Sequence, residues 1–357
     1  MIKREMVLAK MKAFTIVDNV IWGCMLDVNA LVKIYMNNWK VEYIGRFPNQ
    51  NKESKLFYQV KYCNGKLFFG PTAADNIIVY DIKASKFIEI KLNDINLIQK
   101  EYNANFKFEN MEVCNNKIFF IPTSYPAFIE LDSVSMTMKY ISEPFMDIKK
   151  IDICNGRSRQ YFNCVFRKYD ILYIGFNNAN AWIEFNMKTS QYCIKTLDLP
   201  LDGIWTVAKI EDYFIFTSFD HNKAYELNGK FCNEILELEG KEIFKVCEVK
   251  NCVLFFLKGI NSKSSIIRFN KSTKVFKHIG NINSSIVNVE EKGDDIWILC
   301  SDGTKFVKYN SNNDQVQTFP YIKLDKNTIC NDKLTPIIID EREMNLRDFF
   351  GLITGKI

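Results

Sequence analysis

One pattern of strand-like segments repeats along the chain, and it limits the fold more than any other feature of the sequence. The clearest copy starts at Asn64-Gly65, continues through the apolar run Leu67-Phe68-Phe69, and crosses a polar hinge at 71–76. A second apolar run, Ile77-Ile78-Val79-Tyr80, then ends at Asp81. Short apolar runs bounded by Asn, Asp, Gly and Pro are typical of β-strands joined by tight turns.

Two landmarks define seven copies of this unit. The first is a bulky pair in mid-strand, found at Ile21-Trp22, Leu67-Phe68, Ile118-Phe119, Ile171-Leu172, Tyr213-Phe214, Val253-Leu254 and Ile296-Trp297. The second is an Asp or Asn that follows an apolar residue, found at Asn37, Asp81, Asp132, Asn186, Asn228, Asn270 and Asn310. The Asp or Asn lies 13 to 16 residues after the second residue of the bulky pair, whereas the units recur every 40 to 54 residues. Constant hairpins joined by connectors of variable length give this spacing.

Each unit predicts a small sheet that cannot bury both of its faces alone. An Asp or Asn after a strand can accept hydrogen bonds from the backbone two residues on, so it favours a tight turn. Four-stranded sheets packed face to face around an axis bury their faces on one another, and 40 to 50 residues is a usual blade length. We therefore predict an all-β fold, a seven-bladed β-propeller of four-stranded antiparallel blades.

The pattern of an apolar residue, Asp or Asn, a short Lys/Ser/Thr turn and an aromatic residue resembles the generic blade of kelch-like, WD40-like and quinone-enzyme-like propellers. The resemblance extends from about Ala13 to Pro320. The double glycine of kelch blades is missing, since the matching positions hold Gly70-Pro71, Ile121-Pro122 and Gly175-Phe176. The Gly-His and Trp-Asp pairs of WD40 blades are missing as well. The resemblance therefore implies a fold and assigns no function to any residue.

The repeat predicts a single propeller domain over residues 1–320. Its blades are expected at about 13–48, 55–92, 106–141, 161–197, 203–238, 243–280 and 285–320. Residues 321–357 do not follow the repeat pattern, and they predict a C-terminal extension that packs on the propeller. One segment of it, Leu334 to Ile339, is typical of a strand, and residues 340–353 have helical spacing of apolar residues.

Composition excludes some classes of function and indicates a compartment. The net charge is +5, from 47 basic and 42 acidic residues that are interspersed, which disfavours a nucleic-acid groove. No run approaches the roughly 18 apolar residues of a membrane span. The eleven cysteines are scattered one or two per unit, as small buried hydrophobes would be. A reducing, cytoplasmic location is expected, without disulfides, metal or cofactor.

Catalytic motifs are scarce in this sequence. It has no phosphate-binding glycine loop, no Gly-x-Ser-x-Gly and no His-Glu-x-x-His. It has only two histidines, His221 and His278. If the chain is an enzyme, the candidate catalytic residues are Asp220 and His221, in the hinge between the second and third strands of unit five. A solvated loop histidine is the alternative interpretation, because no partner for a base is visible.

The hinges of all seven units are expected to gather on one face of the ring, around the mouth of the axial channel. They are rich in amides, hydroxyls and carboxylates, which suit sugars or peptides, although turns contain such residues in any case. The predicted ligand-binding face comprises Asp75, Asn76, Thr123, Tyr125, Asn177, Asn178, Asp220, His221 and Asp302. Trp205 and Tyr161, near the starts of innermost strands, either line the channel mouth or pack inside.

A basic cluster lies in the long connector Ser142 to Gln160. Lys149, Lys150, Arg157 and Arg159 form a candidate anion patch, and a solvated loop is the alternative interpretation.

Three functions from different classes remain. The first is a non-catalytic scaffold for recognition, which binds a protein, peptide or glycan through the polar face. The second is a propeller enzyme, a lyase, hydrolase or transferase, whose active site lies at the channel mouth around Asp220 and His221. A subunit of a larger complex, docking through its flat sides or C-terminal helix, is a third possibility.

Overall fold

The computed structural model describes most of the chain between Met6 and Asp325. The described ranges are 6–50, 54–92, 106–151, 161–162, 164–198, 203–218, 223–237, 241–250, 252–259, 263–300 and 303–325. The predicted C-terminal strand and helix, beyond residue 325, lie outside them.

The described strands form seven four-stranded antiparallel sheets, each built from consecutive strands, so the predicted seven-bladed β-propeller is confirmed. Blade 1 comprises β2 (Met11–Val17), β3 (Val20–Met25), β4 (Leu31–Tyr35) and β5 (Lys40–Gly45). Blade 2 comprises β6 (Phe57–Cys63), β7 (Lys66–Pro71), β8 (Asn76–Asp81) and β9 (Lys86–Lys91). Blade 3 comprises β10 (Phe108–Cys114), β11 (Lys117–Pro122), β12 (Phe128–Asp132) and β13 (Met138–Ile141). Blades 4 and 5 comprise β14 (Val165–Lys168), β15 (Ile171–Phe176), β16 (Ala181–Asn186) and β17 (Tyr192–Thr196), then β18 (Ile204–Ile210), β19 (Tyr213–Ser218), β20 (Lys223–Asn228) and β21 (Phe231–Glu237). Blades 6 and 7 comprise β22 (Lys241–Val249), β23 (Cys252–Gly259), β24 (Ser264–Asn270) and β25 (Phe276–Ile282), then β26 (Ile286–Lys292), β27 (Asp295–Cys300), β28 (Lys305–Asn310) and β29 (Gln315–Tyr321).

Turn residues end the strands where the sequence predicts. Asn64 and Gly65 both have positive φ, 48° and 74°, as a two-residue turn between β6 and β7 requires. After β8, the Asp81 carboxylate accepts a hydrogen bond from the Ala84 backbone N–H at 2.8 Å. Asp132, Asn186, Asn270 and Asn310 accept equivalent bonds from the backbone N–H groups that follow them. The Asp/Asn landmark of the repeat is therefore a turn former.

The hydrophobic core lies between neighbouring blades, as expected of sheets too small to bury their own faces. Separate clusters of buried side chains join blades 1 and 2, 2 and 3, 3 and 4, 4 to 6, 6 and 7, and 7 and 1. The bulky pairs supply many of these contacts, since Leu67, Phe68, Ile118 and Phe119 are completely buried. Each blade is thus stabilised chiefly by burial of apolar area against its neighbours.

The ring closes through a small additional sheet. β1 (Met6–Leu8) pairs antiparallel with β30 (Lys323–Asp325), and Met6 lies opposite Asp325. Ile322 and Leu324 pack into the cluster that joins blades 7 and 1. Each described blade is thus built from four consecutive strands, and the segments before blade 1 and after blade 7 pair in a separate two-stranded ladder.

The connector after blade 3 contains the helix α1 (Glu143–Lys149), where the sequence predicts only a long connector. Pro144 lies at its first turn, where the missing N–H costs no hydrogen bond, and Phe145 and Ile148 are buried on blade 4. No helix among the described residues is long and apolar enough to cross a membrane. All nine cysteines in the described ranges are free thiols.

Candidate functional site

A β-bulge recurs near the start of the innermost strand in six of the seven blades. The pairing of the first strand with the second skips one residue in blades 1, 2, 3, 5, 6 and 7. The skipped residues are Lys12, Tyr58, Glu109, Trp205, Phe244 and Val287. A bulge turns a side chain out of the regular alternation of a strand, and here it turns one side chain per blade towards the axis.

These six side chains line a cavity of about 210 Å³ in the axial channel, at the end where the inner strands begin. Gln59, Asn110 and Asn288, each next to a bulged residue, add amide groups to the wall. Blades 1 to 3 contribute Lys12, Tyr58 and Glu109, whereas Trp205 and Phe244 come from blades 5 and 6, across the ring. The cavity therefore has a charged side and an aromatic side.

Backbone and side-chain contacts hold the charged side in place. The Asn288 amide donates hydrogen bonds to the carbonyl oxygens of Lys12 and Tyr58, at 3.0 and 3.2 Å. The Lys12 ammonium lies over the Tyr58 ring, 4.6 Å from its centroid, a distance at which a cation is attracted to the ring face. On the opposite side, the Trp205 indole N–H donates to the Ile243 carbonyl at 3.1 Å.

Burial shifts the ionisation of three groups in this cavity. It raises the pKa of the Glu109 carboxyl to about 6, although the nearby Lys12 charge opposes the shift. It lowers the pKa of the Lys12 ammonium, an effect that Lys258 reinforces and Glu109 opposes. Burial also raises the pKa of Tyr58, and the Glu109 charge adds to this. Shifted groups that face one cavity are typical of functional sites.

Further along the axis lies a second chamber of about 300 Å³ with charged walls. Glu112 in its wall pairs with Lys61 at 3.9 Å and with Arg167 at 3.5 Å, which links blades 2, 3 and 4. Glu290 accepts hydrogen bonds from the Thr15 hydroxyl at 2.7 Å and the Ile16 N–H at 3.1 Å, which links blades 7 and 1. These charges therefore connect neighbouring blades. Among the described residues, no group of three or more His, Cys, Asp or Glu could hold a metal ion.

Six of the nine hinge residues predicted as a ligand-binding face lie in the described ranges, and none of these six lines the cavity. Thr123, Tyr125, Asn177 and Asn178 are at most 1% exposed, whereas Asp75 and Asn76 are half-buried. The Thr123 hydroxyl accepts a hydrogen bond from the Glu109 N–H at 3.1 Å. Thr123 therefore supports a bulged residue of the cavity from behind.

A threonine hydroxyl in the hinge of blade 2 makes the same kind of hydrogen bond. The Thr72 hydroxyl accepts from the Tyr58 N–H at 3.1 Å and donates to the Phe108 carbonyl at 2.8 Å, so it ties blade 2 to blade 3. The Asn76 amide, in contrast, donates to Glu89 on the outer strand at 2.7 Å.

The remaining predicted site residues lie away from the cavity or outside the described ranges. Asp220, His221, Asp302, Arg157 and Arg159 are outside those ranges. In the candidate anion patch, Lys149 lies over the Tyr161 ring at 4.9 Å, and Lys150 pairs with Asp147 within α1 at 2.7 Å. Trp205 lines the cavity. This agrees with the first of its two interpretations, in which it lines the channel mouth.

Lys12, Tyr58, Glu109 and Phe244 were not predicted as site residues, although the repeat contains a signal for them. Each bulged residue lies eight or nine positions before the bulky pair of its own blade. Aligning the seven units on that pair would have placed these residues together at one end of the channel.

No protein-family model matches the chain, and no curated protein matches it by sequence. Among solved structures it is similar to virginiamycin B lyase from Staphylococcus aureus, with a TM-score of 0.61, 14% identity and coverage of 86% of this chain and 98% of that one. A streptogramin B lyase structure gives a TM-score of 0.60 at 13% identity, over 87% and 94% of the two chains. YCF48 from Cyanidioschyzon merolae gives 0.60 at 11% identity, over 85% and 96%.

Fold and comparisons together place the chain among the β-propeller proteins, which confirms the resemblance to propeller blades. At these identities the similarity extends to the fold alone.

Proposed function

We propose that the protein is a recognition propeller, which binds a group of a peptide, protein or glycan ligand in the axial cavity. The observation that supports this is the repeated bulge, because it directs side chains from six blades into one cavity. Aromatic faces beside amides and charges offer both apolar surface and hydrogen bonds, which is the mixture that such ligands present. The ligand site is thus formed by residues of the inner strands.

Capture of ligands on immobilised protein tests this proposal. We expect full-length protein to retain a ligand from a cell extract, and Trp205→Ala to reduce the retained amount at least about tenfold, as the loss of roughly 1.4 kcal/mol of contact does. Phe231→Ala is the matched control, since Phe231 is 78% exposed on the outer strand β21. Equal retention by Trp205→Ala and wild type, with both folded by circular dichroism, contradicts the site.

A second candidate function is acid–base catalysis in the same cavity. It is favoured by Glu109, whose carboxyl pKa of about 6 suits a proton acceptor near neutral pH. Under this alternative the reacting groups are Glu109 and Lys12, in addition to the Asp220 and His221 inferred from the sequence. Glu109→Gln then abolishes turnover of a captured ligand while retaining its binding, whereas a pure recognition protein leaves the ligand unchanged.

A further inference from the structure

Two opposite charges share the axial cavity without neutralising each other. Lys12 and Glu109 each influence the ionisation of the other, so they lie within electrostatic range. Among the ion pairs of the described residues, none joins them, and the Lys12 ammonium lies over Tyr58 instead. Both residues line the same cavity of about 210 Å³.

The other charged groups of the channel do not take their place. Lys61, Glu112 and Lys245 also line this cavity. Glu112 is engaged by Lys61 and Arg167. The Lys245 ammonium donates to the Val289 carbonyl at 2.9 Å. Lys12 and Glu109 are therefore the pair of charges open to a ligand that enters from this end.

The opposite side of the cavity carries aromatic surface, beside the Lys245 side chain of blade 6. Trp205 and Phe244 face the charged side from blades 5 and 6, and Val287 adds an aliphatic surface from blade 7. A volume of 210 Å³ is below the roughly 300 to 1,000 Å³ of pockets that take drug-sized ligands. The cavity therefore suits a small ligand with two opposite charges at one end and an apolar group at the other.

We propose that the cavity binds a free α-amino acid with a large apolar side chain. Its carboxylate lies at Lys12, its ammonium lies at Glu109, and its side chain packs against Trp205 and Phe244. This assignment rests on the proposed function in using the same cavity, and it names a free amino acid as the ligand in place of a group of a larger molecule.

Ligands with a single charge fit this arrangement less well. A carboxylate without an ammonium is repelled by Glu109, and an amine without a carboxylate is repelled by Lys12 and Lys258. A neutral ligand displaces water from both charges and pairs neither, which is costly in an enclosed site. A zwitterion pairs both.

Binding is expected to depend on pH at both ends of the range. Glu109 accepts from the ligand ammonium only when ionised, so binding weakens as pH falls through about 6, by roughly tenfold per pH unit below that. Lys12 pairs with the carboxylate only when protonated, so binding also weakens as pH rises through its lowered pKa. The charged and titratable groups that face the pair are Tyr58, Lys61, Glu112, Cys164, Lys245 and Lys258.

Calorimetry on the full-length protein tests the proposal with three matched probes. L-phenylalanine carries both charges, 3-phenylpropionate lacks the ammonium, and phenethylamine lacks the carboxylate. We expect L-phenylalanine to bind at least about tenfold more tightly than either analogue at pH 7, the equivalent of roughly 1.4 kcal/mol. Lys12→Met should remove the preference over phenethylamine, and Glu109→Gln should remove the preference over 3-phenylpropionate. Lys40→Met, at an exposed position on β5, is the control and should preserve it.

Two outcomes overturn the amino-acid assignment. One is that L-phenylalanine fails to bind, or binds no better than its analogues. The other is that glycylphenylalanine or phenylalanylglycine binds more tightly than phenylalanine, since this identifies a peptide as the ligand. Either result leaves the proposed recognition function to the capture experiment with Trp205→Ala, so the two failures are distinguishable.

Discussion

Asp314 is the clearest case of a single side chain that joins two blades. Its carboxylate accepts hydrogen bonds from Tyr309 and Arg268, both at 2.7 Å, and from Lys277 at 2.9 Å. Burial opposes its charge, but these three donors together lower the pKa of Asp314 below its usual value. Since Arg268 and Lys277 belong to blade 6, ionised Asp314 stabilises the contact between blades 6 and 7.

We expect Asp314→Asn to lower the free energy of unfolding at pH 7 by roughly 1 kcal/mol, because the pairs are partly exposed. A lowered native pKa contributes stability that is present above the unfolded value and lost as pH falls through the native one. The difference between variant and wild type should therefore shrink below about pH 4. Urea denaturation at pH 7 and at acidic pH measures it.

Asn is a suitable replacement because Asp314 has a left-handed backbone, with φ 57°, which Asn tolerates. Asp18→Asn is the control, since Asp18 is exposed and also left-handed, with φ 52°. Equal destabilisation by both substitutions would show that the effect comes from the turn and not from the charge.

At the scale of elements, the hinge threonines position the bulged inner strands. Thr72 is completely buried, and its hydroxyl both accepts from Tyr58 and donates to Phe108. Thr72→Val keeps the shape but leaves two buried backbone groups unpaired, so we expect a loss of about 1–3 kcal/mol. Thr72→Ser keeps both bonds and should cost at most about 1 kcal/mol for the missing methyl group.

The denaturation midpoints of the two Thr72 variants show whether the hydroxyl stabilises the fold, provided that the dependence of the unfolding free energy on denaturant concentration is unchanged. Equal midpoints for the Val and Ser variants would rule out a role for the hydroxyl.

Some elements of this fold can be predicted from the sequence more readily than others. Strand pairs such as Leu67–Phe69 with Ile77–Tyr80 are predictable, because turn residues bound short apolar runs and fix the register of each hairpin. The helix α1 was not predicted, since it is only seven residues long and lies in a connector. Its only strong sequence signal is Pro144 at the first turn.

The cavity was harder to predict than the blades, for a physical reason. Whether Tyr58 or Glu109 faces the axis depends on a bulge, and a bulge is defined by pairing with a second strand. The polar hinge residues were visible, but composition does not distinguish a side chain that faces solvent from one that supports a backbone. Thr123 shows this, since its hydroxyl is bonded to the Glu109 N–H.

At the scale of the whole molecule, the seam between blades 7 and 1 is the place where the ring is closed. Leu324 is 2% exposed and packs into the cluster that joins these blades. We expect Leu324→Ser to lower the free energy of unfolding by about 2–4 kcal/mol, because it removes a buried side chain and leaves a cavity. Tyr321→Ser, at a 49% exposed position nearby, should change it by no more than about 0.5 kcal/mol.

Hydrogen–deuterium exchange localises the effect of Leu324→Ser. Amides of β2 to β5 and β26 to β29 should exchange faster, whereas those of β14 to β17, on the far side of the ring, should change little. Uniform acceleration in all blades would mean that the ring opens as a unit and that its seam is no weaker than its other interfaces.

The ladder between Met6 and Asp325 also has a consequence for biosynthesis. A ribosome releases blade 1 long before blade 7 exists, so the apolar flank of the first sheet has no covering during most of translation. Hairpins within each blade form locally, but the last join waits until almost 320 further residues have been added. Blade 1 is therefore the part of the nascent propeller that is exposed longest to wrong association, and the part that depends most on chaperones.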